Sequence, residues 1–221
     1  MNKNLPDKKS LQFSRFCEIN ELRATDPTEN TGYVVEGYAI VYEQEASIGG
    51  WFNEIVKRGA LDGADLTDVP LFIHHESRSI PLARSRRNNG SSTMTLTPDD
   101  KGLHFRAELD VENNTEAKSL YSAVGRGDIS GMSYSFRVKE EKWLNMDTPI
   151  PTREVHKFKK IGELSALWSP AYDGTNIEAR DGELDSSDKA ALDNARSTLD
   201  SEKNGLELRK RKIIMMKARN L

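Results

Sequence analysis

The sequence lacks the features that mark secreted, membrane-spanning and nucleic-acid-binding proteins. Its one cysteine, Cys17, excludes a disulfide within the chain. No apolar stretch approaches the roughly 20 residues that a membrane-spanning helix needs, and the polar N-terminus has no apolar signal region. The formal net charge is only −3, from 32 basic and 35 acidic residues, so no overall field attracts nucleic acid. We therefore expect a protein that stays in the compartment where it is made and binds neither a membrane nor a specific nucleic acid.

The hydrophobic content of 36% over 221 residues predicts one core with appendages rather than a chain packed throughout. We expect a flexible N-terminus over residues 1–10, one domain over 11–179 and a charged, partly helical tail over 180–221. Within the tail, residues 181–202 carry seven acids, whereas residues 208–221 carry six bases. In addition, Leu192, Ala195 and Leu199 lie at helical spacing after the start signal at Ser186 and Ser187.

Alternating apolar residues predict that the domain is dominated by strands. We expect strands over residues 11–23 and 33–42, which could form a hairpin, and a further strand over 69–75. The apolar spacing at residues 51–58 predicts a short helix. Beyond residue 90 the pattern predicts a hairpin over 93–109. It then predicts a helix from Thr115, capped by Asn114 or Thr115 and ended by Gly125 or Gly127. A strand at Ser133, an exposed loop over 140–152 and a strand over 155–168 follow.

Three residues, His75, Ser133 and Glu163, have the types that acyl transfer needs. An oxygen nucleophile requires a base that takes its proton and an acceptor that orients the base. Each of the three lies at the end of a predicted strand. In the strand at Ser133, period-two alternation turns Met132 and Tyr134 toward the core, so Ser133 faces the other way.

Neither a metal nor another cofactor is expected. His74, His75 and Glu76 are adjacent possible ligands, but neighbours on a strand point to opposite faces and cannot easily share one ion. The glycines at 49–50 and 125–127 lack the lysine and the strand-to-helix context of a phosphate-binding loop.

Several blocks of sequence, in their joint order, resemble the prohead (capsid maturation) proteases of tailed bacteriophages over about residues 37–177. The blocks are residues 35–39 (VEGYA), 52–56 (FNEIV), 58–61 (RGAL), 71–76 (LFIHHE), 81–84 (PLAR), 100–103 (DKGL), 127–136 (GDISGMSYSF), 163–165 (ELS) and 169–172 (SPAY).

The resemblance implies a role for each member of the trio. His75 would be the general base, because the family's histidine falls at the second position of the His74-His75 pair. Ser133 would be the nucleophile, and Glu163 would orient the histidine. The family is similar in fold to the herpesvirus assembly proteases, whose third member is a second histidine, so His156 is an alternative third member.

The chain departs from the family where glycine is common, at Ala83 and Ser135. Ser135 adds a second hydroxyl on the face of Ser133, because side chains two residues apart share a face. If the register slipped by two residues, Ser135 would be the working residue.

By resemblance, the chain is a serine endopeptidase with an α+β fold: an antiparallel, barrel-like β core with peripheral helices, like the herpesvirus assembly proteases. It would need no cofactor. Its implied substrates are a scaffold, or a scaffold-like segment of the major capsid protein, and the protease itself, whose tail could be removed by self-cleavage. The portal and a second copy of the chain are further candidate partners. The implied location is the interior of the assembling procapsid in the host cytoplasm.

Two functions of other kinds are alternatives to this one. A non-catalytic scaffold or shell assembly protein could keep the protease fold and bind partners through its charged tail. An esterase or amidase acting on small molecules is disfavoured, because the string at residues 131–135 (GMSYS) is not a Gly-x-Ser-x-Gly elbow.

Overall fold

The structure of the protein is a computed structural model. It describes residues 11–18, 21–29, 31–86, 92–168 and 184–219. The N-terminus expected to be flexible, residues 1–10, lies outside the described residues.

The described residues form eleven strands and two helices. The strands are β1 Phe13–Glu18, β2 Arg23–Thr25, β3 Tyr33–Val41, β4 Glu45–Ile48, β5 Phe52–Val56, β6 Val69–Ile73, β7 Ala83–Ser85, β8 Met94–Pro98, β9 Gly102–Leu109, β10 Gly131–Leu144 and β11 Thr152–Leu167. The helices are α1 Thr115–Arg126 and α2 Ser186–Arg219.

The strands are arranged in two sheets. The larger has the order β1-β10-β11-β5-β4, and β6 joins it by pairing with the far end of β11 and with β7. The smaller has the order β2-β3-β9-β8. β5 and β6 run parallel to β11, whereas the other pairings are antiparallel. The α+β class is as expected, but the described strands form two open sheets and no closed barrel.

A single large core lies between the sheets and α1. Its fully buried aromatic residues come from both sheets, namely Phe105 of β9, Phe136 of β10 and Phe158 of β11. The rings of Phe136 and Phe158 meet edge to face with centroids 5.1 Å apart, a favoured arrangement. The core therefore fixes the two long strands β10 and β11 against the smaller sheet.

Helix α1 begins and ends as the sequence predicts. The Asn114 side chain accepts hydrogen bonds from the N–H groups of Glu116 (2.9 Å) and Ala117 (3.2 Å), which satisfies donors that the first turn leaves free. Gly127 ends the helix with a φ of 78°, a conformation that favours glycine.

The structure corrects the predictions for residues 51–58, for the partner of β1 and for the loop after β10. Residues 51–58 contain strand β5 rather than a helix. Phe52, Glu54 and Val56 are buried and the residues between them are less so, which is the period-two pattern of a strand. β2 does pair with β3, but β1 pairs with β10, a partner far away in sequence. The exposed loop is shorter than expected, because β10 continues to residue 144.

A buried cluster of charges joins β1, β5, β11 and α2. Arg15 donates to Glu54 (2.7 and 2.9 Å) and to Asp188 (2.6 and 3.0 Å). Arg153 donates to Glu54 (3.0 Å) and to Glu141 (2.6 and 2.9 Å). The predicted helix that starts at Ser186 is confirmed, and through Asp188 its first turns pack against the domain.

The two acids at the centre of this cluster have pKa values shifted in opposite directions. Burial by itself raises the pKa of Glu54, but the attraction of Arg15 and Arg153 outweighs burial and holds that pKa below its usual range. For Asp188, burial outweighs the attraction of Arg15, so its pKa is raised. Glu54 is therefore the carboxylate that both arginines hold in its charged form.

Replacing Glu54 with Gln should lower the free energy of unfolding by about 3 kcal/mol, because it leaves two buried arginines short of one counter-charge. The expected loss lies at the low end of the range for breaking a buried ion pair, since each arginine keeps a second carboxylate. Denaturation by guanidinium chloride measures it. As a control, Asp128→Asn removes the partner of Arg126 in an exposed ion pair and should change the stability little. Equal losses in the two variants would contradict this account.

The stability advantage of the wild type over Glu54→Gln should also depend on pH. Because the folded state lowers the pKa of Glu54, the advantage is fully present above the ordinary carboxylate pKa and is lost as pH falls through the lowered value. Unfolding measured from neutral pH downward checks this sign. An advantage that grows as the pH falls would contradict it.

Candidate active site

Strand β6 places His75 beside β11. The two strands run parallel, with Phe72 opposite Ser165. The pairing ends where the His74 N–H donates to the Ala166 carbonyl (3.2 Å). His75 therefore leaves the sheet next to the C-terminal end of β11.

Both histidines lie in a tight turn that follows β6. His74 and His75 have φ values of 51° and 58°, and the Glu76 N–H donates to the Ile73 carbonyl (3.1 Å) to close the turn. The prediction that the strand runs to His75 is wrong, since it ends at Ile73. Left-handed conformations at non-glycine residues cost about 1–3 kcal/mol each and cluster at functional sites.

His75 and Glu163 are joined by a short hydrogen bond, with 2.6 Å between His75 Nδ1 and Glu163 Oε1. The two side chains are 30% and 16% exposed. An ionised carboxylate only accepts hydrogen bonds, so Nδ1 carries the proton in this contact. His75 Nε2 is then left as the basic nitrogen of the neutral ring.

Ser133 and Glu163 lie on the same face of the larger sheet. In the antiparallel pairing of β10 with β11, Ser133 is opposite Ser165 and Ser135 is opposite Glu163. Directly opposite residues, and residues two apart on one strand, share a face. The core side chains of β10, such as Met132 and Tyr134, lie on the other face, as the sequence predicts.

The strand register favours Ser133 over Ser135 as the hydroxyl that His75 can reach. The turn leaves the sheet where His74 pairs with Ala166, next to Ser165, which is opposite Ser133. A carboxylate, an imidazole and a hydroxyl joined by hydrogen bonds span roughly 7–8 Å. Diagonal cross-strand neighbours such as Glu163 and Ser133 are about 7–8 Å apart, whereas directly opposite ones are about 4.5–5.5 Å apart.

The structure shows no hydrogen bond between the described side chains of Ser133 and His75. Among the described residues, His75 is hydrogen-bonded to Glu163 and not to Ser133. Ser133 is also only 2% exposed. Hydrogen bonds of this kind are often long in free enzymes and tighten when a substrate binds. The arrangement thus resembles a resting catalytic site.

The alternative third member, His156, lies elsewhere on β11. It is seven residues before Glu163, which corresponds to about 20 Å along a strand. Its Nε2 is 3.0 Å from Glu154 Oε2. The structure therefore does not bring His156 together with His75.

A cleft opens beside the turn that holds the histidines. It has a volume of about 220 Å³. Phe72, which is opposite Ser165 in the sheet, forms part of its wall, whereas His75, Ser133 and Glu163 do not line it. The lining comes from the end of β6, the segment that follows it and the start of α1, and it includes Phe72, Ile73, His74, Glu76, Ile80, Leu82 and Glu116.

Two neighbours of Ser133 were missed by the sequence reasoning. Phe16 of β1 and Ser165 of β11 flank Ser133 on its two sides. A Cβ atom at Gly131 would lie 2.2 Å from the Phe16 ring, so a side chain there would require the ring to move. The alternation of residues 163–165 could have placed Ser165 on the face of Glu163, but no local signal reveals the pairing of β1 with β10.

The described part of the chain has neither a cluster of metal ligands nor a membrane-spanning helix. It contains no group of three or more histidine, cysteine, aspartate or glutamate side chains that could hold a metal ion. Neither of its helices is both long enough and apolar enough to cross a bilayer.

The chain matches the sequence model of a known protein family. A family-wide sequence model, described as caudovirus prohead serine protease, matches residues 19–190. This range covers His75, Ser133 and Glu163 and ends within α2. Comparisons with curated proteins and with solved structures gave no match.

The hydrogen bond to Glu163 should fix the tautomer of His75. In the neutral ring we expect the proton on Nδ1 and none on Nε2, because the carboxylate can only accept. Nitrogen-15 NMR of labelled protein distinguishes the two nitrogens, and His156 serves as an internal control because its Nε2 contacts Glu154 instead. A proton on Nε2 of neutral His75 would contradict the assignment of that atom as the base.

Proposed function

Because the chain belongs to the caudovirus prohead serine protease family, we propose that it is a serine endopeptidase that cleaves capsid or scaffold proteins inside the assembling procapsid. The observation that carries this proposal is the hydrogen bond between His75 Nδ1 and Glu163 Oε1 (2.6 Å), on the sheet face that also holds Ser133. A base, its orienting acid and a hydroxyl are what hydrolysis of an amide by an acyl-enzyme requires.

In the proposed mechanism, His75 Nε2 takes the proton of Ser133 as its Oγ attacks the scissile carbonyl carbon. The carbonyl π electrons move to oxygen and form the tetrahedral intermediate. When the electron pair returns, the C–N bond breaks and His75 gives its proton to the leaving amine. Water then repeats the sequence on the acyl-enzyme, and Glu163 keeps the imidazole in the required tautomer throughout.

Glu163 is proposed as the third member in preference to His156. Its support is the direct contact with His75, whereas His156 is about 20 Å away along β11. Ser133 is proposed as the nucleophile in preference to Ser135 because it has the diagonal position relative to Glu163 that leaves room for an imidazole.

The proposed substrates are the major capsid protein or its scaffold-like segment, a separate scaffold, and the protease itself. The cleft lined by Phe72 and by His74, the neighbour of His75, is where a substrate segment is proposed to bind. Confinement in the procapsid, within the host cytoplasm, would bring enzyme and substrate to high local concentration. The portal and a second copy of the chain are candidate partners on the strength of family resemblance.

Self-cleavage is proposed for the region that follows the domain. Helix α2 supports a division of the tail into two parts, because Asp188, Ala191 and Leu192 are buried whereas Leu206 and Ile213 are exposed. Cleavage beyond Ala195 would leave the ion pair of Asp188 with Arg15 intact. We therefore place the removable part after residue 195.

The two sheets are proposed to be parts of a barrel-like core similar to that of the herpesvirus assembly proteases. Support comes from the corner between β7 and β8, where the Thr93 N–H donates to the Arg84 carbonyl (3.1 Å). This contact joins the edge of the larger sheet to the start of β8 in the smaller one.

Ser133→Ala should abolish cleavage of the capsid and scaffold proteins of the same phage. Loss of a serine nucleophile lowers kcat by roughly 10⁶-fold in a well-studied serine protease. Co-expression of the protease with these proteins, followed by mass spectrometry of products and of the protease itself, measures both substrate cleavage and self-cleavage.

Ser135→Ala is the matched control, because it removes a hydroxyl of equal burial from the same face. It should still cleave. Loss of cleavage in Ser135→Ala but not in Ser133→Ala would identify Ser135, and not Ser133, as the nucleophile. Unchanged cleavage in a folded Ser133→Ala protein would favour the non-catalytic assembly protein instead.

A further inference from the structure

Ser165 has an unusual position for a hydroxyl group. It is 0% exposed, and its Oγ has no hydrogen-bond partner among the described residues. It is also the residue of β11 directly opposite Ser133. A buried hydroxyl with no hydrogen-bond partner in the described part of the chain thus lies beside the proposed nucleophile.

Such a hydroxyl is costly for the folded protein. Leaving a buried donor or acceptor unsatisfied costs about 1–3 kcal/mol, and most buried polar side chains in native proteins have a partner. An alanine at this position would avoid that cost. The serine is therefore better explained by a partner gained during the reaction than by a contribution to stability.

The register identifies Ser133 Oγ as that partner. Directly opposite residues have Cβ atoms about 4.5–5.5 Å apart, so a hydroxyl on one can approach an oxygen on the other. Ser135, the other buried hydroxyl without a partner among the described residues, is placed differently. Its Oγ lies 2.6 Å from the position that a Cβ of Gly162 would occupy, opposite Glu163 rather than Ser133.

We propose that Ser165 is a positioning residue whose Oγ–H donates a hydrogen bond to Ser133 Oγ during catalysis. This inference rests on the proposed function. A serine hydroxyl has one proton and two lone pairs. With one lone pair bound to Ser165, the proton of Ser133 points to His75 Nε2 and the second lone pair attacks the carbonyl carbon.

The contribution of Ser165 increases as the reaction begins. Proton transfer to His75 leaves negative charge on Ser133 Oγ, and a hydrogen bond to a charged oxygen is roughly twice as strong as one to a neutral oxygen. No proton leaves Ser165 in this step. An interaction that is stronger in the transition state than in the free enzyme lowers the barrier.

Ser165→Ala tests the proposal through reactivity and stability together. We expect the rate constant for phosphonylation of Ser133 by a fluorophosphonate probe, mapped by mass spectrometry, to fall roughly 10- to 100-fold, the range for losing a hydrogen bond to a charged group. The melting temperature should stay the same or rise, because no native hydrogen bond is lost. Ser165→Thr keeps the hydroxyl and should react at nearly the wild-type rate.

Ser85→Ala is the control for deletion of a buried serine hydroxyl. Ser85 Oγ donates to the Leu66 carbonyl (3.4 Å) at the end of β6 away from His75, so its loss should lower the melting temperature without slowing the probe. An unchanged labelling rate in Ser165→Ala overturns the inference, and so does slower labelling with a lowered melting temperature. A folded Ser165→Thr protein as slow as Ser165→Ala overturns it as well. If the wild type itself is not labelled at Ser133, the proposed function fails first.

Discussion

The side-by-side pairing of β10, β11 and β6 is the constraint on which the site depends. The hydrogen bond between His75 and Glu163 closes a separation of 88 residues, and closing a loop of that length costs about 4 kcal/mol of chain entropy. A hydrogen bond to a charged group contributes only about 1.5–3 kcal/mol. The contact therefore exists because the backbone ladder of β11 with β6 brings the two residues together, and the ladder with β10 adds Ser133 to the same face.

The same strand anchors the opposite end of the sheet. β11 carries Glu163 near its C-terminal end and Arg153 near its N-terminal end, where Arg153 binds the buried Glu54. Buried ion pairs are weak sources of net stability but strongly penalise any arrangement that separates them. The charge cluster thus fixes how β5 and the start of α2 sit on β11. Positioning of the long strand at both ends is what gives the candidate site a defined register.

The sequence alone predicted those features of the structure that depend on residues close together in the chain. Period-two alternation placed Ser133 and Met132 on opposite faces of one strand, and Asn114 and Gly127 marked the ends of α1. It was not sufficient where neighbours are distant in the chain. The partner of β1, the strand character of β5 and the turn at His75 all depend on tertiary contacts, such as the ion pair of Glu54, that no short window contains. The residue types of the trio were visible in the sequence, whereas the contact of His75 with Glu163 depends on the pairing of β6 with β11.

The central claim is that His75, Glu163 and Ser133 act as one unit. The most direct test is a double-mutant cycle that measures how fast a fluorophosphonate modifies Ser133 in the wild type, in His75→Ala, in Glu163→Ala and in the double variant. Residues that act as a unit give strongly non-additive effects, so the account predicts that the double variant reacts about as slowly as His75→Ala alone. Effects of the two substitutions that simply multiply would contradict it.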